Sequence, residues 1–596
     1  MIDEKIRKAI DAIEAQFPEQ AGVIRDYITD NYGIFFERGN SHRTAAVGME
    51  LSEGCAADAL VPMGKKGALS AVGVTVLSVN GEDAVVKDAG GNIMSVPVRD
   101  VCPVISSDDY KISFRLSDSI RNGGKDAPCH ALIAGENYYA MKELSRRYGG
   151  KVDCIYIDPP FNTGATNWKY NNKYMNSDDV YRHSAWLSFM EERLLIAKQL
   201  LNPECSVLIA AIDEKENLRL GMLLERIFEG ERMQMVSVCT NMAGSTRKNM
   251  FSRTDETYFF VMIGSACPQR LPLTDEWMTG NKSVLLNKRL VWESFKRRTG
   301  VSYRENAPAQ FYPIFVTEDL KKFHSIGESL PPGVDRRNVV PPEGTVAVFP
   351  IRSDGSEGIW QMTPESAREM LRMGYIRIGS ANEQSVVSIS YLKKGQREKL
   401  DSGIFDIVGR REDGSVIESE NNNYSVPRTC GTQWRISAHN ASVFGTPLVN
   451  TLVGVNRFQF PKSVYAVHDA MMFFIGDKKD ALILDFFAGS ATTMHAVSLL
   501  NSEDGGKRRC ICITNNEVGQ KEAGEMLKRG IRPQDAAWIE KGVAHSIAWT
   551  RIRNYILGKD IKGNPLKGTY MNGAPMSEGF RENADLYDME YDNGSK

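Results

Sequence analysis

The sequence predicts an α/β fold. A mainly parallel sheet flanked by helices is interrupted by an inserted α+β segment and preceded by a small helix-plus-β module. Three observations predict it. Apolar runs of the kind a parallel sheet buries on both faces recur at 152–157, 206–212, 257–263, 481–485 and 509–513. Helical spacing fills the gaps at 138–148, 186–201, 218–228 and 493–500. The alternation then fails between 266 and 444, where Pro331-Pro332 and Pro341-Pro342 bracket irregular chain and β-like runs such as 386–392 follow.

The elements follow in order. Ile6, Ile10, Ile13 and Phe17, then Val23, Ile24 and Ile28, give a broken helical spacing over residues 1–38. Short β runs at 72–77, 84–86 and 94–98, separated by Asn80-Gly81 and Gly90-Gly91, mark a small β module suited to packing or docking. A strand at 130–133 opens the α/β pattern. Residues 578–596 hold six acidic and two basic side chains and read as a frayed tail. The divisions are 1–110 for the N-terminal helix and β module, 111–265 and 445–560 for two parts of one sheet, 266–444 for the insert and 561–596 for the tail.

The 73 Lys+Arg and 75 Asp+Glu leave a net charge of −2. A nucleic-acid partner would therefore need a local basic face. One candidate is 281–305, with seven basic residues, among them Lys288, Arg289, Arg297 and Arg298, against two acidic ones. Arg247, Lys248 and Arg253 are a second. Ordinary apolar and charged content excludes a disordered or fibrous chain. The 10 Cys form no C-x-x-C pair and no zinc or calcium spacing occurs, so no metal is expected and a reducing, cytoplasmic setting fits. The apolar stretch 481–500 contains Asp485 and His495, so no membrane span is expected, and residues 1–6 are too polar for a secretory signal.

Three loops carry candidate chemistry. Asp158-Pro159-Pro160-Phe161 follows a buried strand; the prolines remove two donors and leave a carboxylate, free carbonyls and an aromatic face. That set suits a flat heterocycle with an exocyclic amine. Taken alone, a turn with Asp as a helix cap accounts for it equally. Asp485-Phe486-Phe487-Ala488-Gly489-Ser490 leads a strand through small residues into a helix, where backbone amides approach a ligand and the helix N-terminus is positive. A tight strand–helix turn explains it as well. Glu517 follows the next strand, where an acid can bind ribose hydroxyls, or simply end a turn.

The pair of loops resembles the amino-methyltransferases that use S-adenosylmethionine to methylate exocyclic nitrogens of DNA bases. Asp158-Pro159-Pro160-Phe161 matches the catalytic motif, and Phe487-Ala488-Gly489-Ser490, 329 residues later, the cofactor motif. That order resembles the β class, whose target-recognition region lies between them. Gly135-Glu136-Asn137, Trp186-x-x-x-Met190-x-x-Arg193-Leu194, Asp255-Glu256-Thr257-Tyr258, Trp434, His439-Asn440-Ala441, Gly445-Thr446 and Phe460-Pro461-Lys462-Ser463 extend the likeness over 126–265 and 430–556. The nearest kin implied are Type III modification subunits and stand-alone relatives.

The resemblance implies a Rossmann-like methyltransferase sheet and methyl transfer to N6 of a flipped adenine in double-stranded DNA. Asp158, Pro159, Pro160 and Phe161 would be catalytic. Asp485, Phe487, Ala488, Gly489, Ser490 and Glu517 would hold S-adenosylmethionine, with Lys462 and Ser463 on its methionine carboxylate. Segment 266–444 would recognise the target. The likeness also implies a homodimer and a separate restriction subunit. Phe161 replaces the commoner Tyr, and Ala491 a frequent Gly. A cytosine-N4 or RNA adenine enzyme, an inactive DNA-binding subunit and a protein-methylating enzyme are the alternatives.

Overall fold

In the computed structural model, the chain is described over residues 11–14, 16–22, 44–46, 49–63, 68–105, 110–162, 182–246, 249–273, 275–278, 289–298, 302–382, 386–419 and 429–592. It divides into two units: residues up to Gln269 together with those from Gly431 onward, and residues 270–430. The α/β expectation is borne out in the first unit.

The first unit is built on a ten-stranded sheet. In chain order its strands are β1 (Lys111–Arg121), β2 (Cys129–Ala134), β3 (Cys154–Ile157), β4 (Cys205–Ile212), β5 (Arg232–Cys239), β6 (Asp255–Gly264), β7 (Gln433–Trp434), β8 (Leu482–Asp485), β9 (Arg509–Thr514) and β10 (Asn583–Asp592). Their spatial order is β7-β5-β6-β4-β3-β8-β9-β2-β10-β1. The run from β4 to β10 is parallel, while β6 and β1 pair antiparallel with their neighbours. All four residues of β3 and of β8 are buried, which is why both read as continuous apolar runs.

Helices α1 (Asn137–Tyr148), α2 (Arg182–Leu200), α3 (Asn217–Ile227), α4 (Val464–Ile475) and α5 (Thr492–Asp504) cover this sheet. The Glu136 carboxylate caps α1 by accepting from the Tyr138 and Tyr139 amides, and the Ser463 hydroxyl caps α4 by accepting from Tyr465. Trp186, Met190, Leu194 and Ala197 of α2 are fully buried against the sheet.

The N-terminal module is a six-stranded sheet spanning residues 44–105. Its Asp100 carboxylate pairs with Arg532, and Gln534 donates to the Val101 carbonyl at 2.6 Å. Of the expected N-terminal helix, 11–14 and 18–22 are helical; the remainder lies outside the described residues. Residues 270–430 carry two three-stranded sheets and a two-stranded one, with the helices Pro364–Met373 and Lys394–Asp401. Their core includes Phe295, Tyr312, Ile314 and Trp360.

The C-terminal segment corrects the expectation of a frayed tail. Strand β10 lies between β2 and β1, with Ala584 and Leu586 buried. Its acids are cross-strand partners of β1: Arg121 reaches Asp585 at 2.6 Å, and Arg115 reaches Asp588 at 2.9 Å and Glu590 at 2.7 Å. Buried His130 accepts from the Cys510 amide through Nδ1 and meets Glu582 through Nε2 at 3.0 Å, tying β2, β9 and the approach to β10 together. Deleting residues 583–592 should open two interior strand edges. The expected outcome is aggregation or loss of the cooperative thermal transition, read by light scattering and calorimetry; an unchanged melting temperature would refute it.

Candidate active site

The two loops singled out from the sequence meet because β3 and β8 are parallel neighbours, with Cys154 opposite Ile483 and Ile155 opposite Leu484. Both loops therefore leave the sheet at the same carboxyl edge, where open α/β sheets hold ligands. The third, after β9, joins them: Asp485 lies opposite Cys512, and the Ala488 amide donates to the Ile513 carbonyl at 3.1 Å.

The catalytic-motif loop is held from beneath. Indole Nε1 of Trp186 donates to the Pro160 carbonyl at 2.7 Å, and Pro159 and Pro160 are buried. Asn162, at a left-handed φ of 50°, donates to the buried Glu216 carboxylate at 2.6 Å; His183 meets the same oxygen at 2.5 Å. Thr163 and Gly164 lie outside the described residues.

Asp158 faces a buried cation. Lys462 Nζ lies 2.8 Å from Asp158 Oδ1 and 3.1 Å from Glu256 Oε2, and 4.5 Å from the centroid of the Phe161 ring. The Lys462 side chain is 8% exposed, whereas Asp158 keeps 27% of its side-chain surface exposed. Burial works against the Lys462 charge, but the two carboxylates outweigh it and hold the ammonium above its ordinary value. Burial pushes Asp158 up to about 6, opposed by Lys462 and reinforced by Glu256. Asp213 borders the same group and pairs with Arg253 at 3.2 Å.

Lys462 and Ser463 were expected to hold a carboxylate of a cofactor. In the structure Lys462 engages Asp158 and Glu256, and the Ser463 hydroxyl donates to the Ala438 carbonyl at 2.6 Å while capping α4. The α4 helix is braced by a chain in which His439 meets Asp469 at 2.8 Å, Asp469 meets His468 at 2.7 Å and His468 meets Glu503 at 2.9 Å.

In the second loop, both oxygens of buried Asp485 are acceptors, from the Phe487 amide at 2.9 Å and the Thr493 hydroxyl at 2.5 Å. Burial, partly offset by those bonds, pushes Asp485 up to about 7. Phe487 packs its ring 5.0 Å from Phe486 and 5.8 Å from Phe189. Gly489 and Ala491 take positive φ values of 52° and 61°. Under the turn lies a residue the sequence reading missed, Arg551. It is fully buried and donates through Nη1 to Ser490 Oγ at 2.9 Å and Thr492 Oγ1 at 2.7 Å. Burial lowers it to about 10. Its only sequence signal is a charge in the apolar stripe Ile547, Ile552, Tyr555. Glu517 is half-buried after β9, beside Asn515, whose Oδ1 is buried without a hydrogen-bond partner.

The outlying motif residues lock the loops together. Asn137 Nδ2 donates to the Phe486 carbonyl at 2.7 Å and its Oδ1 accepts from Arg193 Nε at 2.5 Å; Arg193 also pairs with Glu136 and lies 3.6 Å over the Phe189 ring. Of the candidate DNA contacts, Arg247, Lys248 and Lys288 lie outside the described residues. Arg289 and Arg298 are exposed and Arg297 half-buried, all in the 270–430 unit. Arg304 leaves the basic cluster: it is buried, 2.7 Å from Glu357.

Fold and loops together define an α/β protein whose two motif loops meet at the carboxyl edge of its parallel strands. Residues 152–325 match the family model described as DNA methylase. The chain is 28% identical over 423 residues to the Type III restriction-modification enzyme EcoPI Mod subunit of Escherichia phage P1, covering 65% of this chain and 58% of that one. It is 26% identical over 394 residues to the Type II methyltransferase M.KpnI of Klebsiella pneumoniae, covering 66% and 82%. Against the StyLTI Mod subunit of Salmonella typhimurium it is 25% identical over 427 residues, covering 65% and 54%. The chain thus spans little more than half the length of the two Mod subunits. The resemblance to DNA amino-methyltransferases is borne out by these matches. Among the described residues no helix is long and apolar enough to cross a membrane.

Two stability predictions follow from the geometry. Lys462→Met leaves the Glu256 carboxylate and the part-buried Asp158 carboxylate without their cation and should cost about 3 kcal/mol. Adding Glu256→Gln should recover a large part of it in denaturant titrations; no recovery would break the assignment. At Ala491, the left-handed backbone costs a β-carbon about 1–2 kcal/mol. Ala491→Gly should therefore keep or raise the melting temperature, and Ala491→Val lower it by several degrees, as read by calorimetry.

Proposed function

We propose that this chain is a DNA methyltransferase that moves a methyl group from S-adenosylmethionine to N6 of an adenine turned out of duplex DNA, in a restriction-modification setting. The observation that carries the reading is the meeting of Asp158-Pro159-Pro160-Phe161 and 487–490 at the ends of adjacent parallel strands, 329 residues apart in sequence. The relatives support it, since their names describe methyltransferases and modification subunits.

The residues fit such a cofactor. The 488–491 turn is made of small residues over a helix N-terminus, Arg551 adds a buried positive charge beneath it, and the unpartnered Asn515 oxygen with Glu517 suits ligand donors. When bound, S-adenosylmethionine supplies a methyl group on positively charged sulfur. The chain's own task is positioning. Asp158 and the Pro159 carbonyl accept the two N–H bonds of the target amine, and Phe161 offers a stacking face. As the nitrogen gains the methyl group it sheds one proton. Asp158, raised to about 6 yet held ionised at neutral pH by Lys462, is the acceptor in reach. Adenine rather than cytosine follows from Asp at position 158, by the likeness to adenine enzymes.

Residues 270–430 would read the target, with Arg289, Arg297 and Arg298 on phosphates. By the same likeness the chain would act as a modification subunit, as a homodimer, beside a separate restriction subunit.

The test is transfer of labelled methyl to unmodified genomic DNA, followed by nucleoside analysis. Label in N6-methyladenine is expected, and its loss by about a hundredfold or more in Asp158→Ala. Label in N4-methylcytosine would overturn the adenine assignment, and no label in DNA the whole reading. Because an ionised Asp158 is required, the rate should fall as pH drops through about 6; an acid limb unmoved by Lys462→Arg or Glu256→Gln would count against that role.

A further inference from the structure

Beside Asp158 stands a hairpin that the reading above leaves unused. Ser245 and Arg253 form an antiparallel bridge, the Ser245 amide donating to Arg253 at 2.8 Å and the Arg253 amide to Ser245 at 3.1 Å. Its base is built. The Asn241 amide donates to the Thr254 carbonyl at 3.0 Å, and the Gly244 amide to Asn241 at 3.0 Å. Gly244, at φ 73°, lies so close to Ser252 that a β-carbon there would collide with the Ser252 hydroxyl. Arg253 anchors the hairpin to Asp213, which borders Asp158. Three residues beyond Arg253, Glu256 shares Lys462 with Asp158.

Among its described residues, the exposed large side chains are apolar. Phe251 is 100% exposed and Met250 60%. The two adjacent large apolar side chains, held in water on a braced hairpin, offer a small apolar contact surface. From Gly244 to Thr254 the sequence holds three basic residues, Arg247, Lys248 and Arg253, and no acidic one. Exposed apolar side chains in a segment whose sequence carries only basic charges complement a polyanion with apolar interior surfaces, which describes stacked bases between phosphates. Phe251 lies two residues past the bridge, a reach of about 7 Å beyond it.

We propose that Phe251, backed by Met250, enters the duplex at the target step and fills the gap left when the adenine turns out. The inference rests on the DNA-methyltransferase reading and names the residue that offsets the unstacking of the target. An aromatic ring is about one base step thick and can stack on both neighbours, so the open state keeps contacts that it would otherwise lose. Phe251 is thus a positioning residue: it touches neither the reacting amine nor the cofactor.

A wedge matters only while the target base is paired and stacked. The test uses synthetic duplexes carrying the motif found modified in genomic DNA, with the target adenine either paired or opposite an abasic residue. Phe251→Ala should slow single-turnover methylation of the paired duplex by about tenfold or more, and run within about twofold of wild type on the abasic one. Phe251→Trp should retain activity on both. With 2-aminopurine at the target, the fluorescence rise on binding should be lost in Phe251→Ala and kept in Phe251→Trp. Equal slowing on both duplexes, or no slowing on either, would overturn the proposal. So would selective rescue of Phe460→Ala alone, since Phe460, two residues before Lys462, is also an exposed aromatic, at 74%. A wild-type chain that methylates neither duplex would instead remove the function on which the proposal rests.

Discussion

The site depends on β3 lying beside β8, and one side chain does most to fix that register. Asp153 precedes β3 and reaches both ways into the start of β8. Its amide donates to the Leu482 carbonyl at 2.9 Å, its Oδ2 accepts from the Leu482 amide at 2.9 Å, and its Oδ1 holds Lys478 at 2.7 Å. A slip of one residue would turn Asp158 or Asp485 to the wrong face of the sheet. The pairing also lets the chain leave the sheet for residues 270–430 and return. Loop closure costs only about 0.6 kcal/mol for each doubling of length, so a 161-residue excursion is cheap once its two ends are tied.

Around that register the polar groups have divided work. Asp485 and Asp158 end neighbouring strands, and each is raised by burial. Asp485 spends both oxygens on its own loop, through Phe487 and Thr493, and so fixes the turn that would face a cofactor. Asp158 spends one on Lys462 and keeps open surface. Similar carboxylates thus differ through their surroundings: one has both oxygens bonded within its loop and the other keeps exposed surface. The outlying motifs serve the same geometry: Trp186 holds the Pro160 carbonyl, while Asn137 and Arg193 hold Phe486.

The strands, helices and two loops were legible because burial on both faces demands continuous apolar runs, and because prolines and small residues punctuate the strand ends. What stayed hidden depends on partners far away in sequence. Strand β10 looked like an acidic tail because its neutralising arginines, Arg115 and Arg121, lie more than 460 residues earlier. The bond of Lys462 to Asp158 and Glu256 has no local mark, because those acids come from two other segments. Arg304, counted with a basic face, is consumed by Glu357 and by the Leu330, Pro331 and Val334 carbonyls.

The same reasoning revises what the near-zero net charge means. Many cations here are internal: Lys462 and Arg193 are paired with acids, Arg551 and Arg304 are buried in polar cradles, and Arg115 and Arg121 neutralise β10. A charge total therefore says little about which cations reach solvent. Arg289 and Arg298 are exposed in one unit, while in the other Arg253 is taken up by Asp213 and the exposed side chains next to it are apolar, Met250 and Phe251. A polyanion would meet these local fields, screened over about 10 Å at ordinary salt, and not the sum over the whole chain.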